Sequence, residues 1–130
     1  MSYQSIVSVL DERGVDLDTA SEGQMRSALF EAFQRDLPLG VAYLGELAAR
    51  TKASAAKILD PQDPNTALGK QITRLLGTDI ARSICEAEFG VAFGLYNCCG
   101  SVAAPTRELL AMSPLEQIQL QNGALASADC

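Results

Sequence analysis

The stretch Asp79-Ile80-Ala81-Arg82-Ser83-Ile84-Cys85-Glu86-Ala87-Glu88-Phe89-Gly90-Val91-Ala92-Phe93-Gly94-Leu95-Tyr96-Asn97-Cys98-Cys99 decides how the chain reads. Its apolar residues Ile84, Cys85, Ala87, Phe89, Val91, Ala92, Phe93, Leu95 and Tyr96 go nearly all the way round a helical wheel. A helix that is apolar on every side is a buried one. The expectation is therefore a central apolar helix over about residues 79–99, started by Thr78 or Asp79. Gly90 and Gly94, four positions apart, read as the place where a second core helix comes close.

Working outward, Asn65 or Thr66 opens a short helix with Leu68, Ile72, Leu75 and Leu76 inward and Lys70 and Arg74 outward, stopped by Gly77. Before it, Val41, Leu44, Ala48, Thr51, Ala55 and Ile58 step by three and four, with Glu46, Arg50, Ala53 and Lys57 along the other side. That pattern predicts one unbroken amphipathic rod from Gly40 to Leu59, ended by the turn residues Asp60-Pro61-Gln62-Asp63-Pro64-Asn65. Toward the N-terminus, Ser2 caps a helix carrying Tyr3, Ile6, Val7 and Leu10 that stops at Gly14. Ser21 and Gln24 form a capping-box pair before Met25, Leu29, Ala32 and Phe33, and that helix ends near Asp36-Leu37-Pro38.

On the far side, Pro105 begins a short helix with Leu109, Leu110 and Met112, and Ser113-Pro114-Leu115-Glu116 opens another before Ile118 and Leu120. Asn122-Gly123 ends it. No stretch alternates apolar and polar residues at the period of a half-buried strand, so no sheet is expected. The expected fold class is all-α, an irregular helical bundle of six or seven helices, with residues 1–123 as a single helical domain and 124–130 as a flexible tail.

The composition narrows the function. Among 130 residues, 48% are hydrophobic and 20% charged, enough for a core that needs neither metal nor disulfide. Histidine is absent, which removes imidazole as general base and as the usual partner in mixed zinc sites. Residues 1–20 carry Asp11, Glu12, Asp16 and Asp18 against Arg13 alone, the opposite of an export signal, so no secretion is expected. The long uncharged run from Phe89 to Thr106 is broken by Gly90, Gly94, Asn97, Gly100 and Pro105, so no membrane span is expected either. Of the four cysteines, Cys85 and Cys98 would stand about 20 Å apart on one helix at about 1.5 Å per residue. Cys98 and Cys99 read as small core residues and Cys130 as a free thiol.

Short motifs fail on their neighbours. Ser54-Ala55-Ala56-Lys57 has the spacing by which a serine nucleophile and a lysine base share a helix face, but the companion elements of such sites are missing. Gly69-Lys70 lacks the earlier glycine of a phosphate loop, since that position is Pro64, and Gln71 follows the lysine. Asp16 and Asp18 suit a turn better than a calcium loop, whose glycine position holds Ser21. Glu86 and Glu88, two apart, point away from each other on a helix.

The charge layout says more. Residues 1–49 carry three cations and eight anions, residues 50–82 six and three, and residues 83–130 one and five, for a total of -6. Arg50, Lys52, Lys57, Lys70, Arg74 and Arg82 thus form a basic segment between acidic ones. Inside it, Leu44-Gly45-Glu46-Leu47-Ala48-Ala49-Arg50-Thr51-Lys52-Ala53-Ser54 resembles the first helix and turn of bacterial helix-turn-helix regulators. Pro64 to Gly77 is similar to the helix that follows in several of them. The resemblance covers about a quarter of the chain. It implies a small DNA-binding regulator using Lys52, Lys57, Lys70 and Arg74, with Ser54 to Asp60 as the recognition helix and Lys52 where the turn usually holds Gly.

The uninterrupted Gly40–Leu59 seam accounts for the same residues without a turn. The leading expectation is therefore a non-enzymatic helical interaction or assembly protein with no catalytic residues, cofactor or metal. It forms homo-oligomers or docks into a larger complex, such as a virion or multiprotein machine, in the cytoplasm or within the virion. Its expected partner contacts are Arg50, Lys57, Lys70 and Arg74. Nucleic acid is the second choice of partner, and no membrane is expected.

Overall fold

Gly90 ends what the sequence reads as one long helix. In a computed structural model of the chain, which describes residues 3–96 and 100–110, Gly90 has φ 74° and its N–H closes on Glu86 O at 2.8 Å. Glycine takes this left-handed conformation without steric cost, and the helix stops there. The helix is Asp79–Phe89, and beyond it Ala92–Tyr96 and Gly100–Ala104 are strands.

In chain order the elements are α1 (Tyr3–Arg13), α2 (Glu22–Asp36), α3 (Pro38–Ser54), β1 (Ile58–Pro61), α4 (Ala67–Leu76), α5 (Asp79–Phe89), β2 (Ala92–Tyr96) and β3 (Gly100–Ala104), then a 3-10 turn at Glu108–Leu110. The strands form one antiparallel sheet in the order β1-β3-β2. Among the described residues the fold is thus mixed, five helices with a three-stranded sheet, and the expectation of an all-α bundle around a central helix over 79–99 is overturned.

The physical reason lies in β3. All five of its residues are buried, so it has no solvent face and no polar alternation to betray it. Ala103 stands between Ile58 and Phe93 in register and faces the main core with them. Val102, one residue away, faces the other side with Leu59, Ala92, Ala104 and Leu110. Side chains as small as these let helices pack close on one face while the 3-10 turn covers the other.

The helical half is built as its local signals require. At the end of α1, Val15 N–H reaches Leu10 O at 2.9 Å and Gly14 N–H reaches Asp11 O at 3.1 Å, the double closure of a Schellman motif. Leu10 and Val15 then join Val9, Ala28 and Ala32 in the small core that ties α1 to α2. Both halves of the Ser21/Gln24 capping box are made, at 3.1 and 2.8 Å. Thr66 caps α4, Gly77 ends it, and Thr78 caps α5. The main core gathers Phe33, Leu44, Leu47, Ile72, Leu75 and Phe93, each at most 2% exposed. Phe89 joins it edge-on to both Phe30 and Phe93, at centroid distances of 5.5 and 6.3 Å.

The Gly40–Leu59 rod is corrected at its end. α3 runs on through Lys52 but stops at Ser54, where Ala55 turns left-handed at φ 52°. Ile58 and Leu59 belong to β1. Val41, Leu44, Ala48 and Thr51 do form the buried seam. Ala55 and Ile58 continued its spacing without continuing the helix. Ser54 to Asp60, the stretch the helix-turn-helix resemblance assigned to a recognition helix, thus holds the end of α3, a loop and part of a strand. The short helix expected after Pro105 is the 3-10 turn, with Leu109 and Leu110 in it. Ser2, Cys98, Cys99, Met112, the helix expected after Ser113 and the tail 124–130 lie outside the described residues. No helix among the described residues is long and apolar enough to cross a membrane.

Candidate functional site

The four expected contact residues lie on α3, on the loop before β1 and on α4. Arg50 is exposed on the last turns of α3, and Lys57 is half-buried in the loop that leads to β1. Lys70 and Arg74 are exposed, four residues apart on the outer face of α4. α4 leans on α3 at Gly40, whose N–H donates to Gln71 Oε1 at 2.9 Å. Gly40 is ten residues from Arg50, about 15 Å along the helix. Arg82, also in the basic segment, is tied to Asp79 at 3.0 Å. The basic segment is thus spread over the end of α3, the loop before β1, the outer face of α4 and the first turn of α5.

The serine and lysine of Ser54-Ala55-Ala56-Lys57 share no helix face, because the helix ends between them. Ser54 Oγ donates instead to Thr51 O at 3.3 Å. Cys85 is fully buried, and burial, reinforced by the charges of Glu86 and Glu88, pushes its thiol up to about 12. A thiol so protected stays protonated and unreactive. Among the described residues, no group of three or more His, Cys, Asp or Glu side chains is placed to hold a metal ion.

One polar cluster sits where α3 meets the sheet. Tyr43 O–H donates to Asp60 Oδ2, Ser101 Oγ lies 3.0 Å from the phenol oxygen, and Gln62 Nε2 reaches Asp60 Oδ2 at 3.1 Å. Ser101 Oγ lies 3.1 Å from Asp60 O across the β1–β3 pair. Burial first, and then the Asp60 hydrogen bond, push Tyr43 up to about 12. The members satisfy one another, and Ser101 is only 1% exposed. That arrangement pins α3 to the sheet.

An open groove of about 400 Å³ runs between α2 and α5. α2 lines it with Glu22, Met25, Arg26 and Leu29, one stripe at intervals of three and four residues. α5 lines it with Asp79, Ile80, Ser83, Ile84 and Ala87, again one face. Met25, Leu29 and Ile84 form the apolar floor, Glu22, Arg26 and Asp79 are the charged groups of the wall, and Ile80 stands 73% exposed. Among the described residues Ile80 is the most exposed of the large hydrophobic side chains, ahead of Leu109, Leu39 and Leu17.

Sequence reasoning missed this groove, because it counted Ile80 toward the buried length of a central helix. The available signal was its place in the first turn after the Thr78 cap, where a helix emerges from its loop. Compared with protein-family models, with curated proteins and with solved structures, the chain matches none.

Proposed function

We propose that the chain is a non-enzymatic protein-interaction and assembly module, working in the cytoplasm or inside a larger particle such as a virion or multiprotein machine. One observation carries this reading: α2 and α5 leave a groove of about 400 Å³ with an apolar floor, charges on its wall and Ile80 standing 73% exposed. Apolar floors edged by charge suit partner side chains, since the floor supplies the favourable burial and the edge sets register. The polar groups best placed for chemistry, Tyr43, Asp60, Gln62 and Ser101, are engaged with one another, which also favours binding over catalysis. A nucleic-acid reading has less support, because Ser54 to Asp60 presents no recognition helix.

Sedimentation velocity of the full chain over a concentration series, at low and high salt, tests the proposal together with cross-linking in the cells that express it. The expected result is a species heavier than the monomer, alone or with a defined protein partner. A chain that stays monomeric throughout and cross-links to no protein overturns it.

A further inference from the structure

We propose that the α2/α5 groove is a two-fold self-association surface, in which Ile80 of one copy enters the apolar floor of the other. The inference rests on the interaction reading above and names its partner as a second copy of this chain.

Three properties of the face favour a copy of itself over another occupant. First, knob and hole are side by side: Ile80 projects at 73% exposure next to the floor made by Met25, Leu29 and Ile84. A two-fold axis through the groove places each knob over the other copy's floor, because an isologous contact pairs position i with j and j with i. Second, the charges are self-complementary. Arg26 stands on the α2 side and Asp79 on the α5 side, with Glu22 one turn before Arg26. Arg26 and Glu22 make no ion pair with a described residue, while Asp79, 90% exposed at its side chain, holds Arg82 at 3.0 Å and keeps its open side toward solvent. A two-fold that sets Ile80 over the partner's floor lays α2 of each copy along α5 of the other, so that Arg26 approaches the partner's Asp79. A foreign helix would have to supply both signs in register. Third, each wall is a helical stripe repeating at three and four residues, and two such pairs of stripes close into a four-helix layer. Burial of Ile80 and the groove floor supplies the favourable term, and the charges fix the orientation.

The test uses the full chain and sedimentation equilibrium. Ile80→Glu places a carboxylate in the first turn of α5, where the helix dipole favours it, at a side chain outside the core. Loss of association therefore reports the surface and not the fold, which circular dichroism and thermal melting confirm. Association is expected to weaken by at least about tenfold, as for a central contact residue. A charge-swap pair gives an independent reading. Arg26→Glu alone and the double variant Glu22→Lys/Asp79→Lys alone are each expected to be monomeric, and an equimolar mixture is expected to form a heterodimer. Wild-type association that survives Ile80→Glu unchanged, or swap variants that do not recover on mixing, overturns the groove as the interface while leaving the assembly reading in place. A wild-type chain that binds a partner protein but never itself overturns the self-association, and one that binds neither overturns both.

Discussion

Glu86 Oε2 accepts the backbone N–H of Phe93 at 2.9 Å, across the corner where α5 gives way to β2. The carboxylate belongs to the last turn of α5, and its partner lies seven residues on, so the bond exists only if the chain bends between them. Arg107 Nη2 then closes on Glu86 Oε1 at 2.6 Å from beyond β3. One side chain thus joins the helix, the first strand of the hairpin and the segment that follows the second.

Replacing Glu86 by Ala leaves the part-buried Phe93 N–H without its acceptor and releases Arg107. A buried donor left unsatisfied costs about 1–3 kcal/mol. Urea unfolding of Glu86→Ala is expected to show a loss of that size, and Glu86→Gln, which keeps an oxygen for Phe93, a smaller one. Equal losses for the two variants would assign the effect to the Arg107 pair and remove the corner bond from the account.

Tyr43 makes stability depend on alkaline pH. In the folded chain its phenol holds the proton up to about 12, mainly because burial disfavours the phenolate, against an ordinary value of 10.0. Below pH 10 both folded and unfolded chains are protonated there, and the contribution is complete. Between pH 10 and 12 the unfolded chain gives up that proton first, so stability falls as pH rises and the contribution is spent once the folded phenol also ionises. Tyr43→Phe is expected to flatten this alkaline fall in urea unfolding. It is also expected to remove the phenolate step at about pH 12 from the absorbance titration of the folded protein. A wild-type and variant with parallel pH profiles would refute it.

Much of the helical half was legible because its boundaries are chemical. Ser21 with Gln24, Thr66, Gly77 and Thr78 bond or break the backbone wherever they occur, and each does here what its type predicts. The sheet was not legible, because its central strand, Gly100-Ser101-Val102-Ala103-Ala104, is covered on both faces and alternates nothing. The apolar run of β2 extended the wheel of α5 by coincidence of composition, and Gly90 was read as a helix contact when it is the helix end. The candidate groove was hidden for another reason: Met25, Arg26 and Leu29 are an ordinary amphipathic stripe until α5 is known to lie beside it. Neighbourhood between elements remote in sequence is a tertiary fact with no local signature.

Ala55 ends α3 in a conformation its side chain disfavours. At φ 52° the Cβ of an L-residue crowds its own carbonyl, at a cost of about 1–2 kcal/mol. Ala55 is exposed, so Ala55→Gly relieves the crowding without opening a cavity. After the extra entropy of glycine in the unfolded chain, a gain of about 0.5–1 kcal/mol remains. Ala49→Gly, exposed in the body of the same helix, is expected to lose about 1 kcal/mol. Opposite signs in thermal melting check the left-handed cap, and a loss at both positions would mean that α3 continues past Ser54.

Gly69 is required by a close approach and not by its own dihedral angles. A Cβ built there would stand 1.9 Å from Asp63 O and 2.9 Å from Pro64 Cα, both backbone atoms that cannot rotate aside. Helix propensity alone favours Gly→Ala by about 1 kcal/mol, as at exposed Gly23 in α2, where the added carbon meets only Ser21 Oγ at 4.0 Å. At Gly69 the sign must reverse. Alanine has to push the Asp63-Pro64 turn away from α4, at an overpacking cost of about 1–3 kcal/mol. That movement reaches the cluster that pins α3, because Gln62 adjoins the turn and reaches Asp60 and Tyr43. Gly69→Ala is therefore expected to lower both the urea midpoint and the pH at which Tyr43 ionises, as a loosened cluster admits water. A stabilised Gly69→Ala variant would show that the turn does not lie against the helix.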